Sequence, residues 1–391
     1  MTNRQLFLQH VAQTSPFPIG LEIAKAAGIN MWDTNGKPYI DLISGFSVCN
    51  IGHSNAAVIQ AVKEQVDKYM HLIVYGEFIE APQVAYASLL TNNLPPTLNS
   101  VYFTNSGAEA TEGAMKLCKR VTGRSKIIAC NKAYHGSTQG ALSIMGDEYW
   151  RNAFRPLLPD VYHFDYNNYD LIESIDRQTA CVVIETVQAE SGINKPDIDW
   201  LIALRKKCDE NCVLLVFDEI QAGFGRTGSL WAFEQYNVTP DVLLLGKALG
   251  GGMPLGAFIA DGRLMNTLTY NPVLGHITTF GGHPVSCAAG MAALNELISN
   301  KWMCDVKAKE ELFVKRLQHP KIKAIRSAGL WMALEFDSFE TCKSIIDRCI
   351  ENGIVTDWFL FAPNCLRIAP PLIISFEEIE MTCGVILECM N

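Results

Sequence analysis

The sequence lacks any apolar run long enough to span a bilayer. Its longest weakly charged segments, Val242–Ala260 and Leu264–Asn295, are interrupted by glycines, prolines and polar residues. Residues Met1 to Gly20 lack the basic-then-apolar order of an export leader, so a cytoplasmic location is expected. Positive charge is in deficit: 32 Lys and Arg stand against 41 Asp and Glu, a formal net charge of −9. That balance argues against nucleic acid or anionic lipid as a partner held by bulk charge. No C-x-x-C pair occurs among the 13 cysteines, Cys208 and Cys212 coming nearest to one. The cysteines are scattered through apolar runs such as Ala180-Cys181-Val182-Val183, which reads as reduced, buried thiols rather than disulfides or a metal site. Internal repeats and low-complexity linkers are missing as well.

What is present is an ordinary globular composition. The chain has 391 residues, 49% hydrophobic and 19% charged, enough for two or three domains with a large core. Seven short apolar runs are bounded by polar or glycine-rich turns: Val101–Phe103, Lys126–Ala129, Val161–Phe164, Cys181–Ile184, Val213–Phe217, Val242–Leu245 and Ala257–Ala260. They are continuous rather than alternating, which suits strands buried on both faces. Helical stretches such as Ala108–Val121 and Trp200–Cys208 lie between them, so the expected fold is α/β with a mainly parallel sheet.

The pattern changes after Cys287. Two helical stretches, Ala288–Leu297 and Asp305–Leu317, precede strand-like runs at Leu330–Phe336 and Cys365–Ile368, with a helix at Phe339–Asn352 between the runs. The expected division is an N-terminal segment (1–50) packing with a small domain, a large ligand-binding α/β domain (51–287) and a small α+β domain (288–391). Residues 1–50 read as turn-rich.

Open α/β sheets bind ligands at the carboxyl ends of their strands, so the residues after each strand are the candidates. The strand Val213–Phe217 runs into Asp218-Glu219, and Val242–Leu245 runs into Gly246-Lys247. Lys247 and Asp218 are open to two readings, a structural ion pair or a reactive pair. Three glycines at Gly250-Gly251-Gly252 point to something approaching the backbone closely. A desolvated lysine has a lowered pKa and attacks carbonyls to give a Schiff base. A carboxylate in the same site could keep a pyridinium nitrogen protonated, as an electron-sink cofactor requires. Ser106-Gly107-Ala108 opens a helix after a strand, with Ser106 as N-cap and the amides of Gly107 and Ala108 free for a phosphate. Tyr134 or His135 could stack on a flat ring.

The run from Phe217 through Asp218-Glu219-Ile220-Gln221 to Gly225-Arg226-Thr227-Gly228, followed by Lys247, resembles the class III (ω-amino-acid) pyridoxal-phosphate aminotransferases. Asn105–Ala110 and Thr279-Phe280-Gly281-Gly282-His283-Pro284 share that resemblance, which extends from Pro38–Asp41 to Leu366–Leu372. It implies a fold type I transferase using pyridoxal 5'-phosphate. Lys247 would hold the cofactor aldehyde and then move a proton between Cα and C4′. Asp218 would pair with the pyridine nitrogen, and Gln221 would bond near the phenolic oxygen. Ser106, Gly107 and Ala108 would hold the phosphate, with Tyr134, His135 and Glu185 completing the cofactor site. Thr279 matches a threonine that reaches the phosphate of a neighbouring subunit, which implies a homodimer with shared active sites. Arg367 matches a carboxylate-binding arginine, a role that suits its planar fork. Ile184–Gly192 resembles a Glu-Pro-x-Gln-x-Glu run with Thr186 in the proline place, and Glu190 would mask Arg367 in one half-reaction. The competing reading of Glu190 and Arg367 is a plain salt bridge.

One departure concerns the substrate. Related enzymes for ornithine, acetylornithine and 4-aminobutyrate have arginine where this chain has Ser137, so a second carboxylate clamp is missing; Arg151 and Arg155 are the available replacements. The resulting expectation is an aminotransferase passing an amine from an ω- or α-amino acid, acetylornithine-, ornithine- or 4-aminobutyrate-like, to a keto acid such as 2-oxoglutarate or pyruvate. A glutamate-1-semialdehyde-type aminomutase, a dialkylglycine-type decarboxylase and a non-catalytic relative are the alternatives. No metal is expected.

Overall fold

The computed structural model describes Met1 to Asn391. Near the N-terminus, β1 (Ile23–Ala27), β2 (Asn30–Asp33) and β3 (Pro38–Asp41) form an antiparallel ribbon. The central sheet contains β4 (Ser100–Thr104), β5 (Lys126–Cys130), β6 (Val161–Phe164), β7 (Thr179–Glu185), β8 (Leu214–Asp218), β9 (Val242–Leu245) and β10 (Gly256–Ala260). Its order is β4-β10-β9-β8-β7-β5-β6. A smaller sheet follows from β11 (Ala324–Ser327) and β12 (Met332–Glu335). Next come β13 (Ile354–Val355), β14 (Trp358–Phe359) and β15 (Ala362–Ile368). The small sheet is ordered β11-β12-β15-β14, whereas β13 pairs in parallel with β3 of the N-terminal ribbon.

The seven apolar runs read from the sequence are the seven strands of the central sheet. Alternate residues feed opposite faces: Val182, Ile184, Leu215, Phe217, Leu243 and Leu245 enter one core, and Cys181, Val183, Val216, Val242 and Leu244 the other. Burial on both sides is why the runs show no alternation. All pairings from β9 to β6 are parallel, each needing a crossover. The connection Gly246–Leu255 is too short for one, so β10 returns antiparallel to β9 and pairs antiparallel with β4. Two reversals give β4 the direction of β9. The carboxyl ends of β4, β5, β7, β8 and β9 therefore share one edge of the sheet.

The N-terminal segment differs from the turn-rich expectation. It holds a helix, Asn3–His10, capped by Thr2, and the three strands of the ribbon. The strands β1 and β2 are half-buried at most, with no alternating side, so periodicity did not reveal them.

One buried side chain ties distant parts of the chain together. The Arg226 guanidinium donates to Leu330 O at 2.8 Å, Pro370 O at 2.6 Å and Asn50 Oδ1 at 2.5 Å. Its fully buried cation has no carboxylate in contact, and desolvation lowers its pKa to about 9, opposed by Asp41. Replacing it with an apolar chain of similar length strands three buried acceptors. Arg226→Met is expected to destabilise the fold by roughly 3 kcal/mol or more. Urea unfolding at a fixed cofactor concentration measures this, and an unmoved midpoint would show that Arg226 is not an anchor.

Candidate active site

A cavity of about 260 Å³ opens at the shared carboxyl edge of the central sheet. Each wall comes from the end of a strand. β4 leads to Ser106, Gly107 and Ala108; β5 to Tyr134, His135, Gly136 and Ser137; β7 ends in Glu185; β8 ends in Asp218; and β9 leads to Lys247. Open α/β sheets place ligands at this edge.

Lys247 lies half-buried in the cavity wall in a left-handed conformation (φ 49°), a strained geometry for a residue with a side chain. Its Nζ donates to Gln221 Oε1 at 2.5 Å. Burial lowers the amine to about 8; Glu190 raises it, Arg367 lowers it, and Asp218 and Glu185 raise it. The ion-pair reading of Lys247 and Asp218 fails, because Asp218 is bonded elsewhere. Its Oδ1 accepts from the Ile220 amide at 2.9 Å and its Oδ2 from His135 Nδ1 at 2.7 Å. Burial pushes His135 down, but Asp218, and then Glu185, more than reverse it, leaving the imidazole above its ordinary value.

Glu185 shapes the wall between them. Its Oε1 accepts from the Tyr134 amide at 3.1 Å and its Oε2 from the Ala189 amide at 2.7 Å. Burial raises Glu185 to about 7, His135 opposing and Asp218 adding. Of the two aromatic candidates, Tyr134 presents its ring to the cavity wall, with its hydroxyl 3.0 Å from Ser137 Oγ, whereas His135 is turned inward to Asp218.

The helix Gly107–Thr122 begins at the cavity. Ser106 caps it, its Oγ accepting from the Glu109 amide at 3.2 Å, and the first intrahelical bond runs from Ala110 N to Ser106 O. The amides of Gly107 and Ala108 lie before that bond and are left for a ligand, at the positive end of the helix dipole. A Cβ on Gly107 would lie 2.8 Å from Ile220 Cδ1, so a larger residue would have to push aside the Ile220 side chain just after β8.

These features suit a phosphorylated pyridine aldehyde. The helix terminus suits the phosphate, Asp218 a ring nitrogen and Lys247 the aldehyde. Gln221 Nε2 is buried without a partner, next to the lysine, and is available to a phenolic oxygen. Val187, Ile220 and Ala222 supply apolar wall, a part of the cavity with no signal in the sequence beyond position after a strand.

The residues expected on the substrate side lie just beyond. Glu190 lines the cavity and meets Arg367 in a two-bond fork, Oε1 to Nη1 at 3.0 Å and Oε2 to Nη2 at 2.9 Å. Burial pushes Glu190 up, and Arg367 more than reverses it, so the net shift is downward. Asp357, which sequence reading missed, accepts from Arg367 Nε at 2.8 Å. Burial raises Asp357 to about 6, Arg367 opposing and Glu190 adding. Ser137, the position of the missing second clamp, lines the cavity. Neither Arg151 nor Arg155 lines the cavity. Both bond to Glu148, and Arg151 also donates to Ser143 O and Met145 O. Thr279 is exposed and outside the cavity of its own chain.

Comparison with known proteins agrees with this chemistry. The family described as Aminotransferase class-III matches residues 11–390. The acetylornithine aminotransferase of Methanopyrus kandleri is 36% identical over 387 residues, covering 98% of this chain and 97% of that protein. Its counterpart from Bacillus cereus is 35% identical, covering 94% of each chain. Among solved structures, the ornithine aminotransferase of Toxoplasma gondii matches with a TM-score of 0.92 at 29% identity, over 100% of this chain and 95% of that one. Another structure of that enzyme, with pyridoxal phosphate at partial occupancy in its active site, matches at 0.90 and 30% identity, over 99% and 93%. The chain belongs to the class III aminotransferases, enzymes that transfer an amino group with pyridoxal 5'-phosphate as cofactor.

Proposed function

We propose that this enzyme moves an amino group from an ω- or α-amino acid of the acetylornithine class to a 2-oxo acid such as 2-oxoglutarate or pyruvate, with Lys247 holding the cofactor aldehyde. The observation that carries the reading is that Lys247 and Asp218 face one cavity without bonding to each other. The names of the relatives support the donor class.

The cofactor, when bound, supplies an electron sink that loosens the proton on the carbon bearing the amine. The chain supplies the rest. Gly107 and Ala108 bind the phosphate through their amides. His135 and the Ile220 amide fix the Asp218 carboxylate, which would face the ring nitrogen, and Tyr134 would cover the ring. Desolvation lowers the Lys247 amine to about 8, so at pH 7 roughly a tenth of it is unprotonated, far more than for an ordinary lysine, and that fraction can take a proton from carbon and return it. Arg367 receives a substrate carboxylate once Glu190 moves off its fork. With Ser137 on the wall, one chain offers no other guanidinium for a second carboxylate.

A homodimer accompanies this reading. Thr279 is exposed and does not line its own cavity, and Val273, Leu274, Ile277 and Phe280 in the same stretch of chain are exposed too, apolar side chains suited to a second copy. A cytoplasmic location agrees with 13 cysteines that are all free thiols.

The test is a donor panel against 2-oxoglutarate and pyruvate. Acceptor-dependent turnover of N-acetylornithine or another ω-amino acid is expected, whereas conversion without an acceptor would favour an aminomutase. In the same panel, Glu190→Ala should change the ratio of ω- to α-amino donor rates, and an unchanged ratio would reduce Glu190 to a structural partner. Lys247→Ala should lower kcat by ~10²–10⁴-fold for the lost base alone, and further for the lost covalent link. Sustained multiple turnover by that variant refutes the assignment. Asp218→Asn should still bind cofactor but stall in proton transfer, which single-turnover absorbance reads directly; near-normal rates would remove the electronic role of Asp218.

A further inference from the structure

The environment of Arg367 is more constrained than a gated ion pair requires. Its guanidinium is enclosed on three sides. One face lies over the Phe359 ring, with Cζ 4.1 Å from the centroid, and the Phe46 ring stands 5.3 Å from Cζ. Asp357 Oδ1 holds the Nε edge at 2.8 Å. The backbone binds the same two residues together, Arg367 N donating to Asp357 O at 2.9 Å. The Nη1/Nη2 fork points to Glu190 on the cavity wall, and Nη2 also donates to Trp358 O at a longer 3.3 Å.

The Phe46 side of this socket is itself held under strain. Ser44, Gly45, Phe46 and Ser47 are consecutive left-handed residues (φ 49°, 57°, 62° and 63°). Such a stretch persists only where its surroundings over-determine it. Here Asp41 Oδ1 accepts from the amides of Ile43 and Ser44 at 2.8 and 2.9 Å, and Ser44 Oγ donates to Ala369 O at 2.5 Å.

We propose that Asp357 is a positioning residue for substrate carboxylates: it grips Arg367 by the Nε edge so that the fork keeps its aim when Glu190 leaves. The proposal rests on the reading of Arg367 as the carboxylate site. Its physical basis is a division of labour between two carboxylates on one guanidinium. The bond of Glu190 uses the fork that a substrate needs and must be exchangeable. The bond of Asp357 uses an edge that no bidentate carboxylate requires, so it can persist through the exchange. Without it, an arginine freed by Glu190 would keep only the 3.3 Å bond to Trp358 O and its ring contacts, with no charged partner to fix its aim, and each substrate would have to order it again.

The experiment avoids any dependence on the donor. Apoenzyme is loaded with pyridoxamine 5'-phosphate and mixed with increasing 2-oxoglutarate, and separately pyruvate, while the return of the pyridoxal chromophore is followed. Asp357→Ala should raise the half-saturating keto-acid concentration by about 10-fold or more, the scale of a lost charge-assisted hydrogen bond, with the limiting rate within about 3-fold. Asp357→Asn, which keeps an oxygen acceptor in the same place, should restore half-saturation to within about 3-fold of the parent. A merely structural aspartate would instead lower thermal stability without that split or that rescue. Arg367→Ala separates the two claims. If it raises half-saturation and Asp357→Ala does not, the positioning role is overturned while the carboxylate site stands. If Arg367→Ala leaves half-saturation unchanged, or the parent reacts with neither keto acid, the underlying reading fails and the proposal with it.

Discussion

The amine of Lys247 is buried with no carboxylate bonded to it, and the rest of the site is arranged around that fact. Three acids stand near enough to act on its charge, yet each is engaged elsewhere: Asp218 by His135 and a backbone amide, Glu185 by two amides, Glu190 by Arg367. Burying a cation without a direct counter-ion is costly, and the molecule answers by loosening the proton rather than by pairing the charge. An amine bonded to a neutral amide is free to react with a carbonyl; one locked to a carboxylate is not. The strained backbone at Lys247 belongs to the same arrangement, a left-handed residue set between the end of β9 and the short turn Lys247–Gly250.

Two buried guanidiniums show how surroundings divide roles between identical side chains. Arg367 has carboxylates on two edges, and they raise its affinity for its proton in spite of burial. Arg226 sees carbonyls and an amide, and desolvation lowers it. The first can exchange one carboxylate for another at little electrostatic cost. The second has nothing to exchange and joins the N-terminal segment to residues more than a hundred positions away. Only the pairing distinguishes an anion receptor from an anchor.

The central sheet was legible because its strands are covered on both faces, which forces uninterrupted apolar runs that stand out against polar turns. The residues at the strand ends were legible for a related reason: a charge directly after such a run, as at Asp218 and Lys247, needs a purpose. The N-terminal ribbon was not legible, since β1 and β2 bury too little to impose a period on their sequence. Asp357 was hidden for another reason. It lies in a connection between two-residue strands, and its meaning comes from an arginine that the β14–β15 turn brings back beside it. His135 was visible as an aromatic neighbour of Tyr134, but its bond to Asp218 depends on strands β5 and β8 ending at one level with β7 between them.

By itself, then, the order of residues determined the fold class and singled out Lys247, Asp218 and the helix start at Ser106–Ala108 as candidates, because each is written in adjacent positions whose burial or capping is a local matter. Tertiary structure alone decided which acid pairs with which base. That choice separated Lys247 from Asp218, gave Arg367 two carboxylates and withdrew Arg151 and Arg155 from the cavity. Charge pairing is settled by distances of a few ångströms between residues far apart in the chain, and in a low-dielectric interior those distances outweigh any preference that sequence neighbours could express.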